Sequence, residues 1–382
     1  MGRPHATSRF PTTKGGPMFR SVHFRYAAFA LSIGWIPPAV AQSSVSISGV
    51  LGEGVAYTSN VGGHSSVYAL PAGVLRPNSL IFSGQEDLGG GYKSLFMLGT
   101  LFGMNNGAVL GASGSLFSRE SYVGLVTPYG TLTFGQQRDF MFDTLTLQQY
   151  SGAFYQGIWG AHMGPFASFG VPYVVRQAYD FDRLNGEALN NAVKFKSMPF
   201  DGWTFGAMYS FGGVPGQFAN SSGSSFSVAY QFANGSIGAA YTYARSPLIE
   251  HGNAGIRNTG IGGRYRFGRT QVALLGTVSR NTSTGAQIDS VDTSISYAIS
   301  PFWNIAGTYT YMGGNAPLDN NHANQLAGTL TYNLSKRTSV YATLAWQRAS
   351  GRSALARINS TLAEPSGSAV QTSAALSIQH AF

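Results

Sequence analysis

The sequence contains no cysteine, and only 10% of its 382 residues are charged. Without cysteine there is no disulfide framework, no thiolate metal site and no cysteine nucleophile. A soluble domain carries about 25% charged residues, so an ordinary water-facing surface cannot be built from this chain. Long hydrophobic runs are missing too. No stretch reaches the roughly 18 apolar residues of a membrane-spanning helix, which excludes a helical bundle in the bilayer. What is abundant is glycine (50), phenylalanine (25) and tyrosine (20). That many rings cannot be left in water, so disorder is excluded as well. An all-β chain with little charge on a large outward surface remains.

The N-terminus reads as a removable leader. Arg3, Arg9, Lys14, Arg20 and Arg25 form a basic lead without an acid, an apolar stretch runs from Tyr26 to Ile36, and Pro37 and Pro38 break it. Ala39-Val40-Ala41 is an A-x-A cleavage site. The expectation is a signal peptide over 1–41 and a mature chain over 42–382, with Met18 an alternative start. The apolar part is too short to serve as a membrane anchor. Removing the five basic residues leaves 19 Lys and Arg against 15 acids and lowers the excess from +9 to +4. Most of the basicity therefore belongs to the leader, and no nucleic-acid partner is expected.

Period-2 alternation runs through the mature chain. One face of four segments carries Trp203, Phe205, Tyr209 and Phe211; Phe226, Val228, Tyr230 and Phe232; Trp303, Ile305, Tyr309 and Tyr311; and Leu326, Leu330, Tyr332 and Leu334. The positions between them are small or polar, with Met208 the bulky exception. A buried sandwich would place charge on its other face; a small, polar face suits a wall around enclosed water. The spacing predicts sixteen strands near 44–58, 74–86, 92–103, 114–126, 129–137, 191–198, 202–212, 223–233, 235–245, 257–268, 270–281, 289–300, 302–312, 323–334, 338–348 and 371–382. Each is near the 9–11 residues that cross a bilayer at a tilt, or slightly longer. Short and long connections alternate, the longest from Arg138 to Asn190. This is the pattern of an even-stranded antiparallel transmembrane β-barrel with both termini on the short-turn side.

The last segment alternates Leu376, Ile378, His380 and terminal Phe382 against Ser377, Gln379 and Ala381. A chain that stops on an aromatic suits a strand closing onto the first. Such a terminal Phe resembles the signature that the barrel-assembly machinery reads in bacteria.

Three stretches together resemble the trimeric general porins of Gram-negative outer membranes, in their beta-proteobacterial form. They are GQEDLGGGYKSLFML (Gly84 to Leu98); FSRESYVGL (Phe117 to Leu125) followed by YGTLTFGQQRD (Tyr129 to Asp139); and NNAVKFKS (Asn190 to Ser197) leading to WTFGAMYSF (Trp203 to Phe211). The resemblance spans essentially the whole mature chain, with the loops poorly matched. It implies a 16-stranded barrel in the outer membrane, a homotrimer in contact with outer-membrane lipid, and a long third loop, here 138–190, folded into the lumen as a constriction. It also implies passive diffusion of small hydrophilic solutes without a cofactor. Several positions depart from the family. Ser79 and Ser83 stand where the second strand usually carries bases, Gln136 and Ala188 replace usual arginines, and Gly99 replaces an acid, whereas Arg119 is retained.

Candidate pore residues follow from face and position. Arg138, Asp139 and Asp143 open the long connection, and Asp180 and Asp182 close it. Lys194 and Lys196, and likewise Arg264 and Arg266, alternate with apolar neighbours and so point away from lipid. Residues 144 to 179 hold no acid but contain Tyr150, Phe154, Tyr155, Trp159, Phe166, Phe169, Tyr173 and Tyr179, with His162 and Arg176. These rings either pack the loop against the wall or line an aromatic constriction, packing being the commoner fate. Cations facing few acids imply a mild anion preference, because a narrow low-dielectric wall focuses the field on passing ions. An enzyme is disfavoured: His64, His162, His251, His322 and His380 form no HExxH pair, and there is no GxSxG elbow. The alternatives are a substrate-preferring channel with an aromatic-lined constriction, and a plugged structural or adhesin barrel.

Overall fold

Alternating residues of this kind form antiparallel hairpins whose two faces meet different solvents. In the computed structural model, which describes residues 44–69, 73–110, 115–171, 180–358 and 366–382, every strand pairing is antiparallel. The expected leader (1–41), Arg176, Tyr173 and Tyr179 lie outside the described residues.

In chain order the strands are β1 (Ser44–Val61), β2 (His64–Ala69), β3 (Ser79–Gly89), β4 (Tyr92–Phe102), β5 (Val109–Leu110), β6 (Glu120–Thr127), β7 (Gly130–Arg138), β8 (Ala188–Ser197) and β9 (Trp203–Ser210). They continue with β10 (Gly223–Phe232), β11 (Gly235–Arg245), β12 (Gly255–Phe267), β13 (Thr270–Asn281), β14 (Gln287–Ala298), β15 (Trp303–Gly314), β16 (His322–Asn333), β17 (Thr338–Ser350) and β18 (Val370–Ala381). β2 is a short strand folded onto the far half of β1, and β5 is a two-residue pairing on β4. The other sixteen each pair with their neighbours, and β1 pairs with β18 from Val50–Ala381 to Thr58–Ser373. The result is a closed 16-stranded antiparallel barrel. At the seam Gly49 and Phe382 exchange both backbone hydrogen bonds at 3.1 Å. A Cβ on Gly49 would stand 2.7 Å from the Phe382 ring, so the terminal aromatic closes over a bare backbone.

Burial sorts the two faces as the alternation requires. Phe205, Phe226, Ile305, Leu326 and Leu344 are exposed on the outer face, while Ser225, Thr310, Thr329 and Ala345 on the inner face are buried. Aromatic pairs such as Trp203–Tyr230 (4.8 Å) and Trp303–Tyr332 (4.6 Å) stand next to the short turns, where amphipathic rings favour a membrane interface.

The strands begin and end within a few residues of the expected positions, with two instructive shifts. The segment expected to pair from 74 starts its strand at Ser79, because Val74 is buried against Trp159 and its carbonyl accepts from Ile158 N–H (3.1 Å). The segment expected from 114 starts at Glu120, and Arg119 before it lays its stem over Gly99, where a Cβ would come within 3.3 Å of it. At the other end β3 continues to Gly89, and Gly89, Gly90 and Gly91 all take positive φ (+82°, +61°, +84°) to turn the chain.

Candidate functional site

The long connection between β7 and β8 is the part of the chain that cannot be explained as wall. Among the described residues it contains no strand; it is built of short helical turns, Met141–Thr146, α1 (Gly152–Gln156), Gly157–Trp159 and Ala167–Phe169. Ser151 caps α1 by accepting from Ala153 N–H at 3.1 Å. Turns this short have little stability of their own, so tertiary contacts hold them.

Those contacts fall on the inner face of the barrel. Glycines there leave room: Phe140 lies against Gly206, Leu145 against Gly260, and Tyr150 against Gly262, where a Cβ would come within 2.9 Å of it. Met208, the bulky exception on the small face, is buried in the same apolar cluster as Phe140, Met141 and Leu145. Trp159 packs with Val74, Tyr341 and Ile358, and Phe166 and Phe169 pack with Ile256, Ile288 and Met312. Of the rings expected to choose between packing and lining, Tyr150, Trp159, Phe166 and Phe169 are buried and Phe154 and Tyr155 are half-buried.

Inner-face amides then satisfy the connection's carbonyls. Asn258 donates to Phe181 O (2.6 Å), Asn281 to Phe169 O (2.9 Å) and Gln325 to Trp159 O (2.9 Å). Without these donors the carbonyls would be buried at full desolvation cost.

Charge is arranged in three groups. The first is His162, fully buried, with Nδ1 2.6 Å from Asp182 and Nε2 2.8 Å from Asp292 on β14. Burial opposes the imidazolium, but the carboxylates of Asp292 and Asp182 outweigh it and raise the His162 pKa well above its ordinary value. Asp292 also accepts from Gly152 N–H (3.0 Å) and Thr310 Oγ1 (2.5 Å). The second group sits at the roots of the connection. Asp139 pairs with Arg183, and Lys194 bonds both Asp143 and the Arg138 carbonyl at 2.7 Å. Lys194 therefore binds the connection, while Lys196 is exposed. Arg138 is buried, with its guanidinium 4.2 Å from the Phe142 ring and Nε donating to Gly186 O. Asp180 accepts from Asn185 N–H; burial first, then Asp182 and Glu187, raise its pKa and favour its neutral form.

The third group is cationic. Arg119 has its pKa lowered to about 10 by burial and then by Arg138, with Glu120 opposing and Arg76 adding to the effect. Arg76, exposed in the segment before β3, thus joins Arg119 and Arg138 in one field. Across the barrel on β12, Arg264 and Arg266 both donate to Gln271 Oε1. Sequence reading identified His162 but not its partner Asp292; the signal was an acid on the inner face of β14 among Ser290 and Ser294. It also passed over Arg76, which stands three residues before Ser79.

The sequence pattern of Gram-negative porins matches residues 27–352. Outer membrane porin protein 32 of Delftia acidovorans is 30% identical over 315 residues, covering 81% of this chain and 85% of that protein. An outer membrane porin protein of Bordetella pertussis is 24% identical over 371 residues, covering 82% and 91%. Among solved structures, the anion-selective porin from Comamonas acidovorans superposes with a TM-score of 0.70 at 23% identity, covering 89% of this chain and all of that one.

Proposed function

From the premise that this chain belongs to the Gram-negative porin family and is an outer-membrane channel for passive diffusion, we propose how its permeation path is built and what it prefers. The mature chain starts after a leader ending at Ala41 and assembles as a trimer. The segment between β7 and β8 is the constriction: it lies in the lumen, held against the inner face of the wall. Supporting this, its apolar side chains meet inner-face glycines and its carbonyls meet inner-face amides.

The constriction prefers anions mildly. One observation carries this reading: Asp139, Asp143, Asp182 and Asp292 at its roots and against its body each meet a cation, and burial raises the pKa of Asp180 and Glu187 and so disfavours their charge. Asp139 pairs with Arg183, Asp143 with Lys194, and Asp182 and Asp292 share the single positive charge of His162, which leaves one net negative charge, fully buried. Arg119, Arg76, Arg264, Arg266 and Lys196 have no carboxylate within ion-pair distance among the described residues. Glu120 beside Arg119 keeps the preference small. His162 has both ring nitrogens engaged and no exposed surface, so it offers no face to a substrate, and we assign the barrel no catalysis.

Reversal potentials across a KCl gradient test the preference. Wild type should favour chloride, and Arg119→Gln should reduce the chloride:potassium ratio by about sevenfold, because chloride loses an attraction and potassium loses a repulsion. That is the effect of one unit charge about 7 Å from a passing ion in a water-like medium, ~0.6 kcal/mol for each ion. A cation preference in wild type would overturn the reading. A steady open level in single-channel recordings separates the channel from a plugged structural barrel.

A further inference from the structure

The inner face of β12 changes character along its length. Towards the long-loop end it receives the constriction: Asn258 bonds Phe181 O, and Gly262 lies against Tyr150. The next inner position towards the short turn is Arg264, followed by Arg266. Neither has a carboxylate within 4 Å among the described residues. Both turn instead to one neutral acceptor, Gln271 Oε1 on β13: Arg264 Nη1 at 3.3 Å, Arg266 Nη2 at 2.8 Å and Arg266 Nε at 3.3 Å. Arg264 Nε is buried with no hydrogen-bond partner. Gln271 is itself fixed, because its Nε2 donates to Gln149 Oε1 and to Tyr155 Oη, both at 2.7 Å, on the constriction.

Two guanidiniums converge on a single amide oxygen, which carries a partial charge where two full positive charges stand. Each fork holds five N–H donors in a plane matched to a carboxylate or phosphate. We propose that Arg264 and Arg266 form an oxyanion-binding site directly below the constriction, at the periplasmic mouth. It takes the carboxylate or phosphate group of a permeating solute between the two guanidiniums. Gln271 and Tyr155 act as positioning residues that hold the forks towards the water path. The site rests on the channel reading above, since its ligand must arrive through the lumen. It is separate from the Arg76–Arg119–Arg138 group and does not depend on it.

The test is current block in planar bilayers with the mature protein in low-salt KCl, titrating inorganic phosphate or succinate from the periplasmic side. In wild type, at least one of them should reduce chloride current reversibly. The half-blocking concentration should rise about tenfold, equivalent to ~1.4 kcal/mol, in the double variant Arg264→Gln/Arg266→Gln. Block by phosphate alone, succinate alone or both identifies the group bound. Equal half-blocking concentrations in wild type and the double variant, or no block by either anion, would overturn the site. Arg266 is exposed, so Arg266→Gln alone decides the matter should the double variant fail to insert. Failure of the selectivity reading is visible separately: chloride preference absent while block persists removes that reading and leaves this site standing.

Discussion

Two charged clusters stand on the same wall and are built on opposite terms. His162 on the long connection between β7 and β8 is enclosed by Asp182 and Asp292, with Gly152 N–H and Thr310 completing the Asp292 oxygens. Arg264 and Arg266 share one amide oxygen and have no carboxylate within ion-pair distance among the described residues. A buried cluster whose polar atoms are hydrogen-bonded rigidifies what it joins but offers nothing to a solute. An unmatched, water-facing pair contributes little to stability and keeps its donors for whatever passes. On the reading proposed above, the difference separates residues that hold the path open from residues that interact with what moves through it.

The sharpest way to break the contrast is Asp292→Ala. It removes one of two carboxylates from a buried imidazolium and leaves Gly152 N–H and Thr310 without their acceptor. Loss of one partner from such a cluster costs about 3–5 kcal/mol. Limited proteolysis should cut the 139–187 segment while the strands stay protected, and single-channel current should become noisy.

A gentler perturbation is pH. The His162 pKa is raised by its carboxylates, so its contribution is fully present below the ordinary imidazole value of about 6.5. The contribution is lost as pH rises through the folded-state value. The partners remain in place, so the loss is smaller, about 1–3 kcal/mol. Current noise recorded from neutral to alkaline pH should grow in wild type and stay flat in His162→Gln.

The smallest effect belongs to the other cluster. Arg266→Gln removes an exposed cation with no acid partner, and the thermal midpoint should correspond to a change within about 0.5 kcal/mol. A large drop would mean that the arginines are structural after all and would erase the contrast.

How much of this was legible before folding differs by region. The barrel wall was readable because each strand meets two solvents: Trp203, Phe205, Phe226 and Ile305 face outward, and Thr308, Thr310 and Thr329 face inward, a period that local sequence records directly. The β3 and β6 starts were misplaced because Val74 and Arg119 are claimed by distant partners, Trp159 and Gly99, which no local pattern reveals. Met208 looked like an irregularity on the small face, and its reason is the apolar cluster it shares with Phe140 and Met141.

The alternation, the triple-glycine turn and the terminal Phe382 were thus determined by sequence alone, because bilayer, water and backbone geometry act on each residue where it stands. Which aromatics are hidden, which acids are matched and which arginines stay free was decided by tertiary structure. His162 and Asp292 are 130 positions apart, and Arg264 and Arg266 meet the long connection through Gln271. Charge pairing is a matter of distance in space, and closing the barrel is what sets that distance.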